Sequence, residues 1–496
     1  MWNPSTWVGS SGSRRHSFAA AFAASIAVAV MLAGCTNDPG PGPTTAPNTP
    51  PQSAGPFAPG ADGLGDRYYP KAGNGGYDVG NYDLDVTYDP ATKELTGVAT
   101  ITATATANLT RFNLDFTGLT TKSLTIDGAS ATFEQGTDGE LVVTPPANIA
   151  SGTTFITVVS YAGVPAGFSD PALGETGFLT TAEGAIAIGE PEVASTWFPV
   201  NDHPRDKATY TIKVSAPTAL AALSNGVLQG KQASSRAGYT TWTWQTTAPM
   251  APYLATMVVG NYRVQESTHD GKPVVLAVHT SLSTAIDAEL ARTPEAIDFL
   301  ETKFGPYPFD ALGGIVINDP RVGFALENQT RPIYSSNFFS PGRDASRVIV
   351  QELAHQWYGD SVAVHEWNEI WLNEGFATYA EWLWQEHLGT STAQQIFDQQ
   401  YSNSPPDVWQ TPPGAPGKER LFSRSVYLRG GMTLHALRVT VGDADFFKIL
   451  QDWAAQKRNG NATTVEFLAL AEQVSGEQLD NLFNDWLYGD ERPPRP

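Results

Sequence analysis

The chain of 496 residues carries a formal net charge of −21 and a sequence pI near 4.7, a balance that argues against a nucleic-acid surface and suits a soluble secreted or surface protein. Its length exceeds one ordinary domain, and 41% hydrophobic content with 13 Trp and 23 Phe excludes a disordered chain and supplies two sizeable cores. With a single Cys, no disulfide can form within one molecule.

Residues 1–34 read as a secretory signal peptide. Arg14 and Arg15 precede the 14-residue apolar run Phe18–Met31, too short to span a bilayer comfortably and of the right length for a signal core. The run leads into Leu32-Ala33-Gly34-Cys35, which holds the only thiol. This segment resembles the lipobox of bacterial lipoproteins. The resemblance implies cleavage before Cys35, lipidation of Cys35, and a place in the bacterial cell envelope, outside the cytoplasm, where the lipid anchor is the only contact with the membrane. Residues 35–66, rich in Pro, Gly, Thr and Ala, carry too little apolar surface for a core and read as a tether that holds a globular body off the membrane.

From 67 to 263 the texture is that of β structure. The stretch YDLDVTYD, the alternating run Val98–Thr106 and TTWTWQTT around Trp242 and Trp244 are separated by Gly, Pro, Asn and Asp turns, which predicts an antiparallel sandwich or saddle. From 264 to 496 the pattern changes. Leu290, Ile297, Phe299 and Leu300 mark a helical segment, Gly314–Ile317 a buried strand, and the remainder to Trp486 is mostly helical. The run Trp367, Trp371, Trp382 and Trp384 reads as core packing.

Val348–Asp360 reads VIVQELAHQWYGD. A His at 351 would complete H-E-x-x-H, which sets two zinc-binding imidazoles and a general-base carboxylate on one helical face; Gln351 stands there instead. A helix over 347–358 places Gln351 and His355 one turn apart with Glu352 beside them. A further ligand comes from WLNEGFATYAEWLW, where Glu374 lies 19 residues after His355 in a second helical run and shares its face with Thr378 and Glu381.

Together these motifs resemble the aminopeptidase N family of gluzincin zinc metallopeptidases, and the similarity runs from about Tyr68 to the C-terminus. Phe324-Ala325-Leu326-Glu327-Asn328 matches the family's Gly-Ala-Met-Glu-Asn motif, which implies a substrate-binding role for Ala325 and Asn328 and places Glu327 at the carboxylate that captures the substrate's free α-amine. Glu190, in Gly189-Glu190-Pro191, matches the position that supplies a second amine contact. Tyr427, in the segment from Ser425 through RGGMTLHALR, matches the phenol that hydrogen-bonds the tetrahedral intermediate. The same resemblance makes Glu352 the general base and His355 and Glu374 metal ligands, with Gln351 in the place of the remaining one.

The implied fold class is α+β: an N-terminal antiparallel β saddle or sandwich domain followed by a thermolysin-like, mainly helical α/β catalytic domain. The implied cofactor is one Zn²⁺ per chain, and the implied partners are peptides with a free N-terminus. The long C-terminal helical domain of larger relatives is expected to be missing, leaving an open groove. Such a zinc ion leaves a coordination site for water, lowers its pKa and polarises the scissile carbonyl. Glu352 would then take the proton from that water and pass it to the leaving amine. Two carboxylates at the blind end of the groove would fix a cationic N-terminus, so that only the first peptide bond reaches the metal.

Two departures from the family pattern stand out. Phe324 replaces a Gly, which puts a large ring on backbone expected to run close to the substrate. Gln351 offers a neutral amide, a poor donor for zinc, so metal affinity should fall by at least the 10- to 100-fold that losing an outer hydrogen-bonding partner costs. His365, in the loop between the two ligand helices, is the nearest alternative imidazole, ahead of His203, His269, His279, His387 and His435. Two functions follow: a zinc-dependent aminopeptidase with weakened metal binding, or a surface protein that keeps the peptidase fold and binds peptide N-termini without turnover.

Overall fold

The structure, a computed structural model, describes residues 55–496. The signal-peptide and Cys35 expectations lie outside the described residues.

Alternation of apolar and polar side chains builds the N-terminal half. In the strand Tyr77–Asp89, Tyr82, Leu84, Val86 and Tyr88 are fully buried, while the intervening Asp83 and Asp85 point to the other face. This strand lies near the centre of an eight-stranded sheet, antiparallel to Glu94–Ala105, with Leu84 opposite Ala99, and parallel to Ala208–Pro217, with Leu84 beside Ile212. Trp242 and Trp244, two residues apart on the strand Tyr239–Met250, share a face and stack with centroids 6.5 Å apart. A five-stranded sheet contains the fully buried strand Ala185–Ile188, which delivers the chain into Gly189-Glu190.

A second five-stranded sheet runs Tyr262–His269, Lys272–His279, Leu312–Ile317, Ile333–Ser335, Ala325–Leu326. Leu312–Ile317 has parallel neighbours on both sides and is buried at every position, as its unbroken apolar run requires. Beyond it the chain is mainly helical, with Ala345–Ala354, Trp371–His387, Gly430–Val441, Asp443–Gln456 and Thr464–Ser475 the elements that matter most for the core. The four tryptophans of the 367–384 run are all buried in that core. The order of a β-rich half followed by a mainly helical half with its own sheet is the α+β arrangement expected. No described helix is long and apolar enough to cross a membrane.

Two boundaries differ from the sequence reading. The tether expected to reach Asp66 gives way at Ala58, where Ala58–Pro59 pairs with Leu109–Asp115. Asp66 itself is buried, its carboxylate accepting from the backbone N–H groups of Tyr68, Tyr69 and Trp367 and lying 3.2 Å from His203 Nε2. Composition misleads there because one buried carboxylate with four partners anchors a segment that has few apolar residues. The helix expected over 347–358 ends at Ala354: Gly359, at φ 135°, turns the chain, and the Asp360 N–H folds back onto the His355 carbonyl at 2.9 Å.

Candidate active site

The helix Ala345–Ala354 starts where Asp344 accepts from the Ser346 N–H at 3.1 Å, and it buries Gln351 and Glu352. Helical spacing persists one residue further, since the His355 N–H donates to the Gln351 carbonyl at 3.3 Å, so Gln351 and His355 keep a common face. The imidazole is fixed by Nδ1, which donates to the Tyr358 carbonyl at 3.1 Å and thereby leaves the Nε2 lone pair for a ligand. That Nε2 lies 3.4 Å from Oε2 of Glu374. Two donors about 2.0–2.1 Å from one tetrahedral zinc lie about 3.3–3.4 Å apart, so the pair fits a shared ion. Side-chain ligand atoms of Glu327, Glu352 and His355 also lie within 4.8 Å of one another.

Glu374 comes from the first turn of the helix Trp371–His387. The next residue, Gly375, meets Gly430 backbone to backbone: a methyl group at Gly375 would come within 2.9 Å of the Gly430 carbonyl carbon. This contact brings the π-helical turn Ser425–Arg429, and with it Tyr427, against the Glu374 helix. Arg429 locks the turn from behind, donating to the carbonyls of Trp409, Asp485 and Gly489 at 2.6–2.8 Å. Thr378 packs on Gly431. Glu381 pairs with Arg347 at 2.9 Å and ties the two ligand helices together.

The opposite wall is formed by Glu190 and Glu327. Glu190 is fully buried, and neither of its carboxylate oxygens has a hydrogen-bond partner among the described residues. Glu327 accepts from the Tyr253 hydroxyl at 3.1 Å, and Asn328 anchors the segment through the Leu254 carbonyl at 2.9 Å. The buried Tyr427 hydroxyl also lacks a partner among the described residues. Burial raises the Glu190 carboxyl well above its ordinary range, and nearby Glu327, Glu374 and Glu352 push it the same way. Burial likewise pushes Glu352 up to about 8, with Glu327 and Glu374 adding to the effect against the opposing pull of His355. His355, which burial alone would lower, is held at about 10 mainly by Glu374 and Glu327. Among the described residues, the buried carboxylates of Glu190, Glu327, Glu352 and Glu374 therefore face a single imidazole, a charge set that calls for added cations.

Ala325 pairs with Tyr334 in the sheet, and strand alternation separates it and Glu327 from Phe324 and Leu326. The Phe324 ring is buried in the apolar cluster with Leu326, Ile315 and Ile333, so the expected large ring beside the substrate is not there. The other described histidines are all engaged elsewhere. His203 faces Asp66, His269 faces Asp298, His279 faces Glu183, His387 packs on Phe299, and His435 lies between Tyr379 and Gln394. His365, whose carbonyl accepts from Arg205, belongs to neither group of side chains spaced to hold a metal. No described imidazole takes the place left by Gln351.

Sequence reasoning missed Gln356. Fully buried, its amide donates to the Glu327 carbonyl at 2.9 Å and accepts from the Thr330 N–H at 2.7 Å, clamping the amine-side turn to the residue after His355. A polar residue next to a ligand on a buried helix was the available signal. Tyr253, 74 residues before Glu327, left none.

His355 and Glu374 thus fit zinc in spacing and chemistry, and the amide oxygen of Gln351 is the weaker remaining donor on the same face. Residues 288–486 match the Peptidase family M1 domain and residues 79–254 the Peptidase M1 N-terminal domain. The chain is similar to Aminopeptidase M1 of Arabidopsis thaliana, 29% identical over 326 residues that cover 61% of this chain and 36% of that protein. It spans only about a third of the length of the curated relatives it matches. Its likeness to the crystal structure of an M1 zinc metallopeptidase from Deinococcus radiodurans covers 88% of this chain and 98% of that one, at 29% identity and a TM-score of 0.80. A mutant of that enzyme bound to a Tyr-Ser-Ala substrate matches at 30% identity over 88% of this chain and 99% of the other, with a TM-score of 0.79. With both M1 domains matched in order and the same fold carried across nearly the whole length of the Deinococcus chain, this chain belongs to peptidase family M1.

Proposed function

We propose that this chain is a zinc-dependent aminopeptidase that removes N-terminal residues from peptides, with metal binding weakened by Gln351. The observation that carries the reading is the charge set of the site: Glu190, Glu327, Glu352 and Glu374, all buried, with His355 the basic side chain set among them by the described residues. A divalent ion between His355 and Glu374 and an α-ammonium between Glu190 and Glu327 would balance it.

His355, Glu374 and Gln351 would hold the zinc, which when bound supplies Lewis acidity at the scissile carbonyl and makes water more acidic. Glu352 takes a proton from the attacking water and returns it to the leaving amine, a role that contributes about 10²- to 10⁴-fold. The Tyr427 hydroxyl, without a partner among the described residues, donates to the developing oxyanion. Glu190 and Glu327 hold the α-ammonium, so the first peptide bond is the one presented to Glu352. The tripeptide bound by the Deinococcus mutant supports short peptides as substrates. The lipobox-like segment supports an extracytoplasmic location with Cys35 as lipid anchor.

The test compares free and N-acetylated peptides of one sequence, with added zinc. Free peptides should be cleaved and acetylated ones spared, and Glu190→Gln should raise KM for the free peptide. Equal cleavage of both forms would remove the aminopeptidase reading.

A further inference from the structure

Beside the amine-binding wall lies a cleft of about 220 Å³ whose lining includes Tyr69, Phe168, Asp170, Glu192 and Phe422. It is smaller than the roughly 300–1,000 Å³ of pockets that enclose a drug-sized ligand, so it suits one side chain rather than a whole peptide. Its position ties it to the reaction. One wall, Pro191 and Glu192, directly follows Glu190, and Phe422 on the other precedes the turn that carries Tyr427.

The chemistry of the lining is specific. Glu192 is only partly exposed and makes no hydrogen bond or ion pair among the described residues. Asp170 adds a second carboxylate, one of whose oxygens accepts the N–H groups of Ala172 and Leu173. The aromatic rings offer faces for a planar cation, and the structure already shows one in use: Nζ of Lys418, exposed at the start of the 3-10 turn Lys418–Arg420, lies 4.2 Å from the centroid of Tyr69.

We infer that this cleft receives the side chain of the substrate's first residue and selects Arg or Lys, with Glu192 as the charge partner, Tyr69 as the ring beneath the cation, and Lys418 as an internal cation that competes for the same place. An arginine side chain stacks its planar guanidinium on an aromatic face and presents a fork of N–H donors to a carboxylate, which matches this pairing of groups. The inference rests on the aminopeptidase reading for the placing of the α-amine at Glu190.

The experiment measures kcat/KM for arginine and leucine arylamides with the zinc-supplemented full chain, and in parallel the calorimetric binding of L-arginine amide and L-leucine amide. Wild type should favour the arginine substrate, Glu192→Gln should lower the arginine-to-leucine ratio roughly tenfold, and Lys418→Gln should raise the ratio. A ratio unmoved by Glu192→Gln would overturn the assignment. If neither arylamide is turned over, the activity reading fails, and the cleft is judged on binding alone. Tighter binding of arginine amide, lost in Glu192→Gln, then supports it, and equal binding of both amides overturns it.

Discussion

Gly375 and Gly430 touch backbone to backbone, and that contact sets Tyr427 against the residue that precedes Gly375, Glu374. The atoms a methyl group at Gly375 would strike are main-chain atoms of Gly430, at 2.9–3.2 Å, and these cannot rotate away. Gly375→Ala should therefore force the two helices apart, costing about 1–3 kcal/mol of stability and lowering kcat through the displaced phenol. Urea denaturation and steady-state kinetics read both effects. An alanine variant with wild-type stability and kcat would show that the contact does not govern the site.

At Gln351 the remaining constellation is preformed, so Gln351→His adds an imidazole where the chain has an amide. The variant should bind about one zinc per chain and resist mild chelation, whereas the wild type should lose its metal. Hydrolysis of amino-acid arylamides should rise at least 10-fold, by the cost that even an outer partner's loss carries, and should vanish with Glu352→Gln. A variant that gains activity over a wild type wholly without it, even with added zinc, would identify the natural protein as a binder of peptide N-termini. Failure of Gln351→His to bind metal would contradict the preformed site.

Asp66 gives a pH signature. Burial pushes its carboxyl upward, but His203 and the N–H groups of Trp367, Tyr69 and Tyr68 hold it down at about 2. A folded-state pKa below the unfolded value means stabilisation that is present above about pH 4 and lost as pH falls toward 2. Between pH 5 and pH 2 the wild type should lose about 2 kcal/mol more than Asp66→Asn does. Denaturation midpoints for the two proteins across that range decide it, and parallel curves would sink the assignment.

For the N-terminus, Cys35→Ala should leave the protein unprocessed or release it from the membrane fraction into the soluble one, as immunoblots of fractionated cells would show. Unchanged processing and membrane association would end the lipid-anchor reading.

Local chemistry reached far from the sequence alone. The alternation in YDLDVTYD predicts a half-buried strand, because a period of two puts Leu84 and Val86 on one face whatever lies above them. The spacing of Gln351, Glu352, His355 and Glu374 predicts a metal helix and a second ligand helix, because helical periodicity is a property of the backbone. Where a helix stops is less local: the prediction that it reaches Tyr358 failed because the ending depends on Gly359 and on the Asp360 N–H finding the His355 carbonyl.

Other features belong to the tertiary structure. Phe324 could be judged only once strand alternation was set against a partner sheet, which turns its ring into the apolar cluster and away from Glu327. Asp66 in a proline-rich segment, Tyr253 on Glu327 and Gln356 on the Glu327 carbonyl are contacts across 301, 74 and 29 residues, invisible to any window of sequence. Sequence by itself determined which side chains are present and which share a face, because these follow from covalent geometry. Only the tertiary structure decided which carboxylates remain buried and unanswered, because the cost of burying a charge depends on every partner that the fold brings to it or withholds.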